Sequence, residues 1–186
     1  MEPGSIAIFV SNDEMPVNAD AHYPFRQSSD LYWLSGIWQE DTTLVLFPGH
    51  PDPRYREVLV LRLPNVRKEK WDGRRLQAGE AKDISGITTI LWQDAIGSYL
   101  PSWIHLADKI YLNSNEHDRR TGPLLTREHR FIGELQEKYP LHEYRRSAKL
   151  LRHLRSIKTP AEITLMQEAA DITGATFRHL LGFIKP

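Results

Sequence analysis

Short apolar runs alternate with longer amphipathic stretches along this chain, a pattern typical of an α/β domain. Runs of β-branched and aromatic residues between turn-forming residues predict strands. The predicted strands are Ser5–Val10, Asp30–Gly36, Thr42–Phe47, Glu57–Leu63, Gly86–Trp92 and Asp108–Asn113. The segment between the second and third runs is short and polar, and it predicts a hairpin.

Three stretches with helical spacing follow or separate the later strands. The first, 93–106, contains Pro101, which predicts a broken helix or two short ones. Pro123–Tyr139 predicts a second helix, and 143–157 predicts a third with a strongly basic outer face. A strand meander followed by β-α-β-α order predicts a three-layer α/β domain over 1–156, with a mixed sheet covered by helices.

A separate helix is predicted in the last segment, 157–186. Thr159 can cap it, Pro160 suits its first position, and Glu162 completes a capping box. The apolar stripe of this helix consists of Ile163, Met166, Ala170, Thr173, Phe177 and Leu180. The pattern alone favours a helix that folds back on the α/β domain over the first helix of a missing downstream domain.

Composition restricts the class of protein. The chain has 186 residues, of which 40% are hydrophobic, with 24 basic and 24 acidic side chains and no cysteine. A balanced charge gives no indication of a nucleic-acid or anionic-membrane surface, and the lack of cysteine excludes disulfides and thiolate metal sites. No run reaches the length of a membrane span, and no signal pattern is visible at the start. We therefore expect a soluble, cytoplasmic protein.

The residues alone show no catalytic constellation. The histidines lack the paired spacing of zinc peptidases, and neither a phosphate-binding glycine loop nor a nucleophile elbow is present. The stretch Asn113–Arg120 gathers Glu116, His117 and Asp118, but consecutive residues seldom converge on one ion. A solvated loop is the favoured interpretation there.

Two stretches combine aromatic and charged residues in a way that is common in contact surfaces. They are Ala19–Gly36, which contains "YPFRQSSDLYWLSG", and Glu69–Gln77, which contains "WDGRR". By composition alone, a packed loop with internally paired charges fits them equally well.

The motifs "YPFRQSSDLYWLSG", "WDGRR" and "RSIKTPAEI", in this order, resemble the N-terminal domain of aminopeptidase P, in the family that includes prolidase and creatinase. The resemblance implies a ribonuclease H-like α/β domain. It also implies that the helix after Thr159 begins a C-terminal "pita-bread" catalytic domain. The apolar stripe of this helix would then pack against the rest of that domain, which is missing from this chain.

The resemblance further implies an Xaa-Pro aminopeptidase, whose substrates are peptides with proline in second position. Its two divalent metal ions, commonly manganese, would be bound by residues beyond Pro186. It therefore implies no catalytic residue and no metal ligand within this chain. On this basis we expect the chain alone to be inactive.

Three residues match family positions near the substrate cleft or the subunit boundary. Asp20 matches an acidic residue at the boundary, Trp71 a tryptophan that reaches toward an active site, and Arg155 an arginine of the domain linker. The same resemblance implies a homo-oligomer. The chain departs from the pattern in lacking the upstream helix of many members and in having Trp38 where phenylalanine is usual.

Two alternatives remain open within this architecture. One is a prolidase, which acts only on dipeptides. The other is a member that has lost the metal ligands and binds peptides without cleaving them. The residues after Pro186 would distinguish the second alternative, because they would show whether the metal ligands are present. The motifs "FRQSSDLYWLSG" and "WDGRR" favour the aminopeptidase over the prolidase.

Overall fold

A six-stranded mixed sheet forms the centre of the first of two units into which the chain divides. The computed structural model describes residues 1–117 and 124–185. The first unit is Met1–Leu150 and the second is Leu151–Pro186. The division of the chain into domains at residue 156 stays a prediction.

Strands and helices alternate along much of the chain. The strands are β1 (Ser5–Val10), β2 (Pro16–Asn18), β3 (Ala21–His22), β4 (Thr43–Leu46), β5 (Glu57–Leu61), β6 (Thr89–Trp92), β7 (Lys109–Leu112) and β8 (Glu143–Arg146). The helices are α1 (Ser29–Ser35), α2 (Val66–Asp72), α3 (Ala78–Ser85), α4 (Ile96–Leu106), α5 (Arg127–Lys138), α6 (Ala148–Ser156) and α7 (Pro160–Phe183). A short 3-10 helix spans Pro53–Tyr55.

The sheet has the strand order β6-β5-β4-β1-β7-β8. β4 is antiparallel to both of its neighbours, whereas every other pair in this sheet is parallel. Five strands therefore run in one direction, and their carboxyl ends lie at one edge of the sheet. β2 and β3 form a separate small hairpin. The predicted mixed sheet covered by helices is confirmed.

Burial of β1 on both faces explains its unbroken apolar sequence. All six of its residues are buried, as is typical of a central strand covered on both sides. Ile6 and Ile8 join the core that contains Trp103 of α4 and Leu135 of α5. A second group of buried side chains lies outside that core and includes Ala7, Phe9, Leu31, Leu59 and Ala81. Helices thus cover both faces of the sheet.

The predicted strand over Asp30–Gly36 is wrong, because this segment forms α1. Leu31 and Ser35, one helical turn apart, are its buried residues. Gly36 ends the helix with φ 69°, and its N–H donates to the carbonyl of Tyr32. The aromatic residues that suggest a strand lie instead on the exposed side of a helix, so the hairpin predicted after them does not form either.

α4 is continuous, so the prediction of a break at Pro101 is wrong. The helix begins at Ile96, which places Pro101 only in its second turn. Trp103 and Ile104 lie two and three residues after the proline and are almost completely buried. Their packing in the core stabilises the helix beyond the proline.

The basic segment 143–157 begins with a strand and not with the predicted helix. β8 pairs in parallel with β7 at the edge of the sheet, and α6 starts only at Ala148. Charged side chains are usual on an edge strand, so their presence did not distinguish strand from helix.

The helix predicted over Pro123–Tyr139 is α5. It begins at Arg127, later than predicted, and Pro123 lies outside the described residues.

α7 has the predicted start. The Glu162 N–H donates to Thr159 Oγ1 at 3.3 Å, and the Thr159 N–H donates to Glu162 Oε2 at 2.8 Å, which completes the capping box. The apolar side chains of the predicted stripe are exposed, with 62% of Phe177 accessible. None of the helices in the described part of the chain combines the length and apolar character of a membrane span.

The loop before β5 contains a carboxylate whose titration can be followed. Asp52 accepts hydrogen bonds from the Arg54 side chain, at 2.6 Å for the shortest, and from its backbone N–H at 2.9 Å. These contacts lower the pKa of Asp52 from 3.8 to about 2. A group whose pKa is lower in the folded state stabilises that state when it is ionised.

We predict that this stabilisation is present above about pH 4, close to the unfolded pKa, and is lost as the pH falls through the folded value. Titration of the Asp52 carboxyl carbon by NMR measures the folded pKa directly. In Arg54→Met the midpoint should move back toward the ordinary value. An unchanged midpoint in this variant would show that Arg54 is not the cause.

Candidate functional site at the carboxyl ends of the strands

Two of the sequence motifs meet through the loop that precedes β4. Gln27 Nε2 donates to the carbonyls of Ile37 at 3.3 Å and Gln39 at 2.8 Å. The side chain of Gln39 in turn accepts the N–H of Leu76 at 2.8 Å. Gln27 and Gln39 are both buried, so these bonds fix the "FRQSS" segment and the segment after "WDGRR" relative to one loop.

An ion pair between Glu40 and Arg75 lies beside this loop. Each residue is only 8% exposed, and their side chains are in direct contact. Arg62, which follows β5, also approaches Glu40 at 3.2 Å. Two guanidinium groups therefore neutralise one buried carboxylate.

The network of charges continues along the sheet edge to β1. Arg62 contacts Asp41 at 2.9 Å and Glu14 at 3.8 Å. Arg127, the first residue of α5, contacts Asp41 at 2.7 Å and donates to Ser11 Oγ at 2.9 Å. Arg62, Arg75 and Arg127 thereby face three carboxylates, those of Glu14, Glu40 and Asp41.

The start of α5 is held by a further carboxylate from the loop after β1. Asp13 accepts the backbone N–H of Arg127 at 2.9 Å and a hydrogen bond from Arg130 at 2.5 Å. A carboxylate is favourable at the N-terminus of a helix because it faces unpaired N–H groups. The hydrogen bond to Asp13 raises the pKa of Arg130.

A second polar cluster connects three elements near the end of β7. The Asn113 side chain donates to Asp30 at 3.1 Å and to Glu128 at 3.4 Å, and it accepts from Ser147 at 2.8 Å. Glu128, Asn113 and Ser147 are buried. The cluster joins α1, α5 and the residue after β8 around one amide, which is a structural role that the sequence analysis missed.

α2 lies between β5 and the arginines of "WDGRR". Asn65 Oδ1 caps it by accepting the N–H groups of Arg67 at 3.1 Å and Lys68 at 3.3 Å. Gly73 ends it with φ 87°, a conformation that suits glycine. Trp71 is 90% exposed on this helix, so its indole is available for contact with another molecule.

The three residues predicted for the substrate cleft lie on separate elements. Asp20 is an exposed residue in the turn between β2 and β3, Trp71 is on α2, and Arg155 is in the last turn of α6, in the second unit. The cleft role of all three stays a prediction.

The aromatic residues of the first motif form a cluster with edge-to-face contacts. The ring of Trp38 lies 5.3 Å from that of Tyr32 and 6.4 Å from that of Phe25. Half of the Trp38 side chain is nevertheless exposed. The ring contacts agree with the interpretation of a packed loop, and the use of the exposed rings as a contact surface stays a prediction.

The described residues do not fit a metal site. In 1–117 and 124–185, no group of three or more His, Cys, Asp or Glu side chains is placed to hold a metal ion. Within the described part of Asn113–Arg120, Glu116 accepts a hydrogen bond from Arg146 at 2.7 Å, which supports the loop interpretation. Residues 118–120 of this stretch lie outside the described ranges. No metal-dependent step is therefore derived from these residues.

Solved structures with the same fold place this domain in the class of aminopeptidase P. A chain from Bacillus anthracis superposes with a TM-score of 0.80 over 90% of this chain. Because the two sequences are only 24% identical, this superposition shows a shared fold and nothing more. Aminopeptidase P from Escherichia coli, in its low-pH form, superposes with a TM-score of 0.76 and 25% identity, over 93% of this chain and 39% of its own.

The family profile described as "Aminopeptidase P, N-terminal domain" matches residues 1–111. The chain therefore belongs to this family, and the resemblance inferred from the motifs is confirmed.

The buried polar network was not predicted from the sequence. The signals that could have revealed it were Gln39 and Glu40, two polar residues between the buried Ile37 and the apolar run of β4.

Curated relatives match over nearly the whole of this chain. The Xaa-Pro aminopeptidase of E. coli is 26% identical over 190 residues, which is 100% of this chain and 42% of the relative. That of Haemophilus influenzae is 28% identical over 186 residues, which is 100% of this chain and 39% of the relative. The intermediate cleaving peptidase 55 of Saccharomyces cerevisiae is 25% identical, over 96% of this chain and 36% of the relative. The chain thus spans about two fifths of the length of these relatives.

The neighbouring arginines of "WDGRR" allow a matched test of the buried ion pair. Arg75→Met should lower the free energy of unfolding by about 1.5–3 kcal/mol, the range for a lost hydrogen bond to a charged group, because Arg62 still neutralises the buried Glu40 carboxylate. Arg74 pairs with Glu80 at 2.5 Å but is 71% exposed, so Arg74→Met should cost less than about 1 kcal/mol. Urea denaturation followed by circular dichroism compares the two variants. Equal losses would contradict the structural role of the Glu40–Arg75 pair.

Proposed function

We propose that this chain is the N-terminal domain of an Xaa-Pro aminopeptidase, which removes the first residue of peptides whose second residue is proline. The observation that carries the proposal is the family match over residues 1–111, together with Xaa-Pro aminopeptidases that align over the whole chain. These relatives favour the aminopeptidase over the prolidase and over a peptide-binding member without activity.

We assign the hydrolytic chemistry to a further domain of the whole enzyme. Two divalent metal ions, with manganese as the expected metal, would polarise the scissile carbonyl there and supply a hydroxide nucleophile. One of the solved relatives is a zinc-substituted E. coli aminopeptidase P in complex with product. Because the described residues of this chain do not fit a metal site, the role proposed for this domain is to bind and orient the peptide.

Trp71, Arg155 and Asp20 are the proposed contact residues. The indole of Trp71 is almost fully accessible and can stack on a flat apolar group such as a proline ring. The guanidinium of Arg155 can donate to a peptide carbonyl or carboxylate. Asp20, in the exposed turn after Ala19, is proposed to lie at a boundary between subunits.

We also propose that the enzyme is a cytoplasmic homo-oligomer. The homo-oligomer of the enzyme rests on the family resemblance. The exposed apolar side chains of α7, such as Phe177 and Ile163, favour self-association of this chain alone, whereas in the whole enzyme we assign them to contact with the downstream domain. A two-fold pair is the commonest arrangement of such oligomers. The cytoplasmic location rests on the sequence alone.

The activity of this chain tests the assignment of the chemistry to another domain. The purified 186-residue chain should release no amino acid from Xaa-Pro peptides, with or without added manganese, because the proposed metal ligands lie in another domain. A longer form of the protein that includes the downstream domain should cleave the same peptides, and this form is the positive control. Metal-dependent turnover that copurifies with the 186-residue chain would contradict the assignment.

The proposed contact residues can be tested in the whole enzyme. Trp71→Ala and Arg155→Ala should each reduce kcat/KM by an amount equivalent to about 1–3 kcal/mol, with metal content unchanged, because they remove contacts with the peptide and not the chemistry.

Neighbouring residues on the same helices are the controls. Lys70→Ala on α2 and Arg152→Ala on α6 should leave kcat/KM within about twofold of the wild type, as is usual for exposed positions without a contact role. Loss of metal from Trp71→Ala or Arg155→Ala, or failure of either to fold, would identify the residue as structural.

A further inference from the structure

α2 has little packing of its own that could fix the indole of Trp71. Among the residues of α2 whose side chains the structure describes, Glu69 is half-buried and the others are exposed. Gly73, which follows the helix, is also exposed and has φ 87°, a conformation that glycine adopts without strain. The orientation of Trp71 therefore depends on how the chain is held on either side of α2.

The first buried residue after α2 is Arg75, four positions beyond Trp71. Arg75 contacts Glu40, and each of these two residues is only 8% exposed. The next residue, Leu76, donates its N–H to Gln39 Oε1 at 2.8 Å. Two adjacent residues of the loop before β4 thus bind two adjacent residues after α2, so they fix the direction of that segment as well as its position.

The loop that provides this anchor is itself held by hydrogen bonds and charge. The carbonyl of Gln39 accepts hydrogen bonds from Gln27 Nε2 and Thr42 Oγ1, each at 2.8 Å. Arg62 also contacts Glu40, at 3.2 Å. Because Gln39 and Glu40 are buried, the anchor is part of the scaffold and not of a loose surface loop.

A second ion pair, between Arg74 and Glu80 of α3, also contacts the segment after α2. Its nitrogen–oxygen distance is 2.5 Å, but the Arg74 side chain is 71% exposed. Exposed ion pairs contribute little because water and salt screen them. The buried pair of Glu40 with Arg75 is therefore the contact that places α2.

We propose that Glu40 is a positioning residue for peptide binding, which acts through Arg75 and α2 on the indole of Trp71. The inference rests on the proposed function, since it takes Trp71 as a contact residue for the peptide. Glu40 is buried and is not a contact residue itself. Without the anchor α2 samples more orientations, and binding of the peptide must then order the helix at a cost in conformational entropy.

A double-mutant cycle in the whole enzyme tests this coupling. Glu40→Gln keeps the size of the side chain and removes its charge. With Trp71 intact, it should lower kcat/KM for an Xaa-Pro peptide at least about threefold, mainly by raising KM, because it weakens binding and not the chemistry. In the Trp71→Ala background the same substitution should change kcat/KM by less than about twofold, because the indole that Glu40 positions is gone.

Ser147→Ala is the matched control for a general loss of stability. It removes hydrogen bonds of the buried cluster around Asn113, so it should change kcat/KM by the same factor in both backgrounds. Circular dichroism and metal content show whether each variant is folded. Should Glu40→Gln fail to fold, Gln39→Met takes its place in the cycle with the same expected result, because it removes the acceptor of the Leu76 N–H.

The cycle distinguishes failure of the positioning role from failure of the proposed function. Equal losses from Glu40→Gln in the two backgrounds, or no loss in either, would overturn the positioning role alone, provided that Trp71→Ala still weakens turnover. If Trp71→Ala by itself leaves kcat/KM unchanged, the contact role of Trp71 is wrong, and the positioning role is wrong with it.

Discussion

The carboxylate of Glu40 is buried at the point where the chain enters β4, and much of the first unit is arranged so that this charge is not left alone. A buried ionised group is tolerated only when cations and hydrogen bonds surround it. Arg75 supplies one cation from the segment after α2, and Arg62 supplies another from the end of β5. The segment after α2 and the end of β5 are therefore both held to the loop before β4 by ion pairs.

This constraint has consequences for β4, the strand that runs against the other five. An antiparallel strand in an otherwise parallel sheet requires the chain to enter it at the edge where its neighbours end. Asp41, Glu40 and Gln39 therefore lie among the carboxyl ends of β1 and β5, beside Arg62 and Arg127. The charge network is thus a result of the topology, and the topology is supported by the network.

The same arrangement separates the scaffold from the surfaces that can contact other molecules. Gln39 and Arg75 hold the segment that follows α2, and α2 itself presents Trp71 to solvent. An exposed aromatic side chain contributes more to binding when its backbone is fixed, because ordering a loose segment costs conformational entropy. The buried polar residues of the family motifs thus have a physical purpose distinct from that of the exposed ones.

The sequence by itself determined the features that depend on local pattern. The apolar run of β1, the capping box at Thr159 and the alternation of strands and helices each needed only neighbouring residues to be interpreted. Three family motifs likewise sufficed to identify the family. The tertiary structure decided what local pattern leaves ambiguous. The segment of α1 is helical because Leu31 and Ser35 are buried on one side, and β8 is a strand because β7 offers it an edge. The pairing of Glu40 with Arg75 joins residues far apart in sequence, and only the folded sheet brings such residues together.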